Sequence, residues 1–174
     1  VSALDRLVPV LDALRRLEAE RNARLGGGPL FSRYATPFAI SVGTVHGGDW
    51  ASSVPDHVTV EGRMGLAPSE APEDARSEMQ AALADVAVVD AWFADHPAEL
   101  TWWGGRFLAA EIPTDHPLVT TLQNAAKTTL GRPVPLEGMT YGADMGLLAG
   151  VGGTPTVLFG AGDIRRAHRP DEWV

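Results

Sequence analysis

The sequence predicts a mixed α/β chain in two parts: an α-β-β-α-β unit, which is a split β-α-β sandwich without its first strand, and then the last stretch of an α/β domain. Three observations predict it. Leucines recur at helical spacing from Leu4 to Leu17, two stretches between residues 38 and 64 alternate with a period of two, and the apolar run Pro155 to Phe159 empties into Gly160-Ala161-Gly162.

The first helix carries Leu4, Leu7, Val8, Leu11, Leu14 and Leu17 on one side and Arg6, Asp12, Arg16 and Glu20 on the other. Ser2 with Asp5 three residues on predicts a capping box, and Gly26-Gly27-Gly28-Pro29 ends the helix. Phe38, Ile40, Val42 and Thr44 then alternate with Ala39, Ser41 and Gly43. After a polar turn around His46 to Asp49, Val58, Val60 and Met64 alternate with His57, Thr59, Glu61 and Arg63. So short a connection predicts an antiparallel pair.

A second helix is expected from about Ala71, with Pro72, Glu73 and Asp74 suited to its first turn and Met79, Leu83, Val86, Val89 and Phe93 at helical spacing. A strand from Leu100 to Trp103 closes the first unit, which leaves an open sheet edge where the first strand would lie. Beyond it, Asp115 is placed to cap a helix burying Leu118, Val119, Leu122, Ala125 and Ala126 and stopped by Gly131 and Pro133. A short strand (Val134 to Leu136), a glycine-rich loop, a short helix around Met145 to Ala149 and a buried strand from Pro155 to Phe159 complete the order. The chain opens at Val1 on a helix cap and stops at Val174, so both ends read as cut.

Composition narrows the function classes. The 174 residues are 45% hydrophobic and 21% charged, as in a globular protein, with no apolar run near the ~20 residues of a membrane span. A net charge of −8 argues against nucleic acid and anionic lipid as partners, since both demand clustered Lys and Arg. Without cysteine there is no disulfide, thiolate metal site or cysteine nucleophile, so a metal must be held by His, Asp and Glu. The absence of a visible targeting segment leads to a cytoplasmic expectation.

Few residues carry chemistry on their own pattern. His168 lies just past the end of an expected parallel strand, where ligands of open α/β sheets bind, but a lone loop histidine is more often a bystander than a metal ligand. Thr140-Tyr141-Gly142-Ala143-Asp144 reads either as a loop whose backbone N–H groups face an anion, or as a tight turn with Asp144 as a helix cap. Arg106, after Gly104-Gly105, falls at the junction of the two parts, as a fork for a carboxylate or as a solvated charge. His46, His57, His96 and His116 are expected at the surface. Gly160-Ala161-Gly162 lacks the third glycine and ribose-binding acid of a dinucleotide loop.

Taken in order, five segments resemble the zinc aminoacylase family, which includes acetylornithine deacetylase, succinyl-diaminopimelate desuccinylase and carboxypeptidase G. They are Gly47-Gly48-Asp49-Trp50 through Ser53-Val54-Pro55-Asp56, Val60-Glu61-Gly62-Arg63, Thr140-Tyr141-Gly142-Ala143-Asp144, Pro155 to Gly160, and Ala167-His168-Arg169-Pro170-Asp171-Glu172. The resemblance implies that residues 1–107 are a lid, or dimerisation, domain of ferredoxin-like type lacking its first strand, and that 108–174 are the C-terminal part of a zinc-peptidase-type catalytic domain. It implies two zinc ions in the complete enzyme (cobalt or manganese being alternatives) and His168 as the last metal ligand. It further implies substrate contacts from Gly142, Asp144 and Arg106, the last to a carboxylate.

The implied activity is hydrolysis of the amide of N-acyl amino acids or small peptides, by a homodimer. The runner-up is a non-catalytic homodimerisation module derived from such an enzyme. Two departures stand out: Ser53 replaces an asparagine common in relatives, and the family's other metal ligands and general base normally precede the point where this chain begins. The chain alone is therefore expected to be inactive.

Overall fold

Helix α1 (Ala3–Leu25) is stopped by Gly26 at φ 64°, a left-handed backbone that glycine adopts without a Cβ penalty, and the Gly26 N–H closes on the Asn22 carbonyl at 3.0 Å. At the other end Ser2 is the cap residue, but its side chain caps nothing; the Ala3 N–H is satisfied by the Pro55 carbonyl at 2.9 Å instead. The expected capping box is thus replaced by a contact from the turn between the two strands. Ala13, Leu17 and Arg21 form the buried stripe, while Leu4 and Val8 are exposed. The core-facing stripe is therefore narrower than the leucine pattern indicates and includes a charge.

This computed structural model describes residues 1–26, 28–160, 162, 164–167 and 169–172. Their architecture is mixed α/β, with helices and one two-stranded antiparallel sheet. By contacts the chain forms two compact units, Val1–Ala109 with Leu136–Gly142, and Ala110–Pro135 with Ala143–Val174. Among the described residues no helix is long and apolar enough to cross a membrane.

In the first unit β1 (Ile40–Gly47) pairs with β2 (Val58–Met64), and α1 packs on both strands. Side chains of α1 also close the approach to β1. Asn22 both donates to the Phe38 carbonyl (3.0 Å) and accepts from the Phe38 N–H (2.9 Å), and Glu18 accepts from the Ile40 N–H at 2.6 Å. The ladder shifts between Val42 and Thr44: Val42 faces Gly62, Thr44 faces Glu61 and Val45 faces Val60. Gly43 is the extra residue of a bulge, and directly opposed residues share a face. Thr44, placed by strict alternation with Ile40 and Val42, therefore lies on the polar face, where its hydroxyl meets Glu61 at 3.1 Å. Val45 takes the apolar side.

The second expected helix divides into α2 (Pro72–Ala84), α3 (Val86–Val89) and α4 (Trp92–Asp95). The first break falls at Asp85 and the second at Asp90, whose backbone is extended; one Asp90 carboxylate oxygen accepts from the Trp92 N–H at 3.1 Å and the other pairs with Arg6. Met79, Val86 and Phe93 are nonetheless buried, and Val86 and Phe93 share a core with Ala13 of α1. Val89, expected with them, is exposed.

The second unit contains α5 (Pro117–Leu130), ended by Gly131 at φ 68°. Its cap is His116, not Asp115: the His116 Nδ1 accepts from the Leu118 N–H at 3.1 Å. Pro117 explains this, because a proline at the first helical position makes its predecessor the cap. Val119 and Ala126 are buried; Leu118 and Ala125 are exposed. The short helix expected around Met145 is present as a π-helix, Gly146–Val151, whose wider winding lets the Gly152 N–H reach back five residues to the Leu147 carbonyl.

The strands expected at Leu100–Trp103, Val134–Leu136 and Pro155–Phe159 are not strands among the described residues. Apolar content permits a strand, but a strand forms only when a neighbour accepts its N–H and C=O groups. No third strand is present among the described residues to do so.

Candidate functional site

The residues singled out from the sequence fall into three places. Arg106 is exposed, and no ion pair or hydrogen bond engages its guanidinium among the described residues. It follows Gly104, whose φ of 79° turns the chain, and precedes Phe107, whose ring lies against Gly105 and Gly142. A Cβ at Gly142 would collide with that ring, so glycine is needed there for close approach. The first unit thus brings the Arg106–Phe107 step and Gly142 into one neighbourhood. Asp144 lies in the second unit and is exposed. Its carbonyl receives the Leu147 and Leu148 N–H groups at 2.9 Å each, but its carboxylate caps nothing and has no hydrogen-bond partner among the described residues. The expected cap role of Asp144 is therefore filled by its backbone. His168 lies outside the described residues.

No group of three or more His, Asp and Glu among the described residues is placed to hold a metal ion. By themselves the described donors therefore assemble no metal centre. Three of the other histidines are at the surface: His46 pairs across from Thr59, His57 meets Asp56, and His96 stacks flat on Trp92 at 4.2 Å. The ring of His57 hydrogen-bonds the Asp56 carboxylate and holds its pKa below the usual value.

Sequence reasoning missed two clusters. Arg21 is buried, its guanidinium donating to Glu70 on both arms, to Glu78 at 3.1 Å and to the Gly65 carbonyl at 2.8 Å. Glu78 also pairs with Arg24 at 2.7 Å. Burial pushes the Glu78 carboxyl up, but hydrogen bonds from Arg24 and Arg21 outweigh it and leave the pKa lowered. The signal was visible: Arg21 follows Ala13 and Leu17 at four-residue intervals, and a charge on an apolar stripe requires a partner. An open depression of ≈ 410 Å³ beside this cluster is lined by Arg24, Glu70, Asp74 and Glu78 among others, and the two glutamates there are already paired.

The second cluster joins residues 29–34 to 136–142. The Gly138 N–H donates to the Leu30 carbonyl at 2.8 Å, the Phe31 ring covers Gly138, and Arg33 pairs with Glu137 at 2.6 Å. Arg33 also reaches the Met139 sulfur at 3.2 Å. No local pattern announces contacts between segments a hundred residues apart.

The turn between β1 and β2 and the hairpin itself lie within the stretch with a known counterpart. No curated protein matches the chain. Residues 1–91 match the family model described as the peptidase dimerisation domain. That stretch holds α1, both strands, α2 and α3, and by it the chain belongs to the peptidase dimerisation domain family.

Proposed function

We propose that this chain is the dimerisation lid and the following catalytic-domain stretch of a metal-dependent amidohydrolase that cleaves N-acyl amino acids or small peptides. The match of residues 1–91 to the peptidase dimerisation domain is the observation that supports it most, together with the ordered motifs that continue to Glu172. In this reading residues 1–107 are the lid and 108–174 belong to the catalytic domain. Two zinc ions serve the complete enzyme, with cobalt or manganese able to replace them. His168 supplies one ligand, Arg106 grips the substrate carboxylate in its guanidinium fork, and Gly142 and Asp144 border the substrate. The remaining ligands and the general base come from other parts of the protein.

A second reading, a homodimerisation module without catalysis, is favoured by the fact that the matching family model is the dimerisation domain itself. One experiment separates the two. The complete protein is loaded with zinc and assayed on N-acetyl and N-succinyl amino acids, as wild type and as His168→Ala. The hydrolase reading expects turnover in the wild type, and loss of bound metal and of nearly all activity in the variant. Full metal content and rate in His168→Ala would remove His168 from the site, and no turnover or metal in either protein would leave the dimerisation module. The 174-residue chain by itself is expected to hydrolyse none of these substrates.

A further inference from the structure

We propose that residues 136–142 are a strap by which the first unit holds Gly142 in place, with Arg33 and Phe31 as its positioning residues. The chain leaves the first unit after Ala109, returns to it only for Leu136–Gly142, and leaves again at Ala143. A seven-residue return would be marginal if nothing held it, since fixing each backbone residue costs roughly 1–2 kcal/mol.

Four attachments hold it, and they differ in chemistry. The first is the backbone hydrogen bond from Gly138 to Leu30. The second is the Arg33–Glu137 ion pair, half exposed on both sides. The third is sulfur contact: Met139 lies 3.2 Å from the Arg33 guanidinium and 3.8 Å from the Tyr34 hydroxyl. The fourth is ring against glycine, at both ends of the strap. A Cβ on Gly138 would come within 2.5 Å of the Phe31 ring, and one on Gly142 would run into Phe107. Two rings from one unit therefore grip the two glycines that bracket Met139, Thr140 and Tyr141.

The physical consequence is a constraint transmitted through the peptide chain. Gly142 is fixed against Phe107, and the strap that carries it is anchored by residues 30–34, which lie far from it in sequence. That Gly142 borders a substrate rests on the proposed function; that it is held does not.

Hydrogen exchange of the full chain tests the strap without any substrate or metal. Arg33→Glu sets two carboxylates against each other at Glu137. It is expected to speed exchange of the Gly138 amide, which donates to the Leu30 carbonyl, by about two- to fivefold, the range a half-exposed ion pair supports. The Ile40–Gly47 and Val58–Met64 amides should not change, which also shows that the variant folds. Combining Arg33→Glu with Glu137→Arg restores the pair with its charges exchanged and should return the Gly138 amide to the wild-type rate. Unaltered Gly138 exchange in Arg33→Glu, or no recovery in the double variant, overturns the strap. Either result leaves the hydrolase assay and its outcome untouched.

Discussion

Arg21 sits where the amphipathic pattern of α1 calls for a leucine, and the reason lies in what it joins. Its two arms hold Glu70 from the loop before α2, Glu78 from α2 and the Gly65 carbonyl at the end of the hairpin. Glu70 is itself almost fully buried. Removing the guanidinium leaves that carboxylate without a counter-charge, and breaking a buried pair in this way costs about 3–5 kcal/mol. Arg21→Ala is therefore expected to lower the unfolding free energy by about that amount in urea titration. Arg24→Ala, which loses a pair on an exposed arginine, is expected to cost under about 1 kcal/mol. A loss for Arg21→Ala no larger than that for Arg24→Ala would mean that the burial does not carry the stability assigned to it.

Among the elements, those legible in the sequence were those whose signal is local. The long amphipathic run and its glycine stop gave α1, and alternation gave both strands of the hairpin. What local reading missed was set by partners. The bulge at Gly43 depends on how β1 meets β2, so a strict period of two puts Thr44 on the wrong face. Asp90 divides the second helical stretch because Arg6, 84 residues away, is there to pair with it. Leu100–Trp103 and Pro155–Phe159 have strand composition but no ladder among the described residues. Of the candidate site, the loop around Gly142 was readable, but the need for glycine there was not, because the Phe107 ring that imposes it comes from another part of the chain.

The hairpin offers its own test. A Cβ at Gly62 would strike the Ser41 carbonyl across the ladder, next to the bulge. Backbone cannot move aside as a side chain can, so Gly62→Ala is expected to cost about 1–3 kcal/mol by overpacking. Gly43→Ala, whose Cβ would meet only the Glu61 carbonyl at 3.9 Å, is expected to cost less. Thermal unfolding followed by far-UV circular dichroism ranks the two, and a reversed order would show that the ladder tolerates crowding opposite Val42.

For the whole molecule, membership of the peptidase dimerisation domain family makes self-association the property to measure. β1 and β2 each have only one neighbour among the described residues, so each carries an unpaired edge, a surface that natural sheets cover or block. Sedimentation equilibrium is expected to give twice the mass of the chain at micromolar concentration. A monomer at every concentration tested would mean that the family's namesake property does not operate in this chain alone.

The return of Leu136–Gly142 to the first unit has a practical corollary for anyone dissecting the gene. Because that unit is assembled from two separate stretches of the reading frame, no single cut can isolate it. A clone ending at Ala109 would discard the glycine that lies under Phe31 and the acid that answers Arg33, and would expose the Leu30 carbonyl. A stickier, less soluble product from such a clone would then reflect the missing staple rather than any fault in the fold. Supplying Leu136–Gly142 as a separate peptide, or splicing it behind Ala109 through a flexible linker, would be the more faithful miniature.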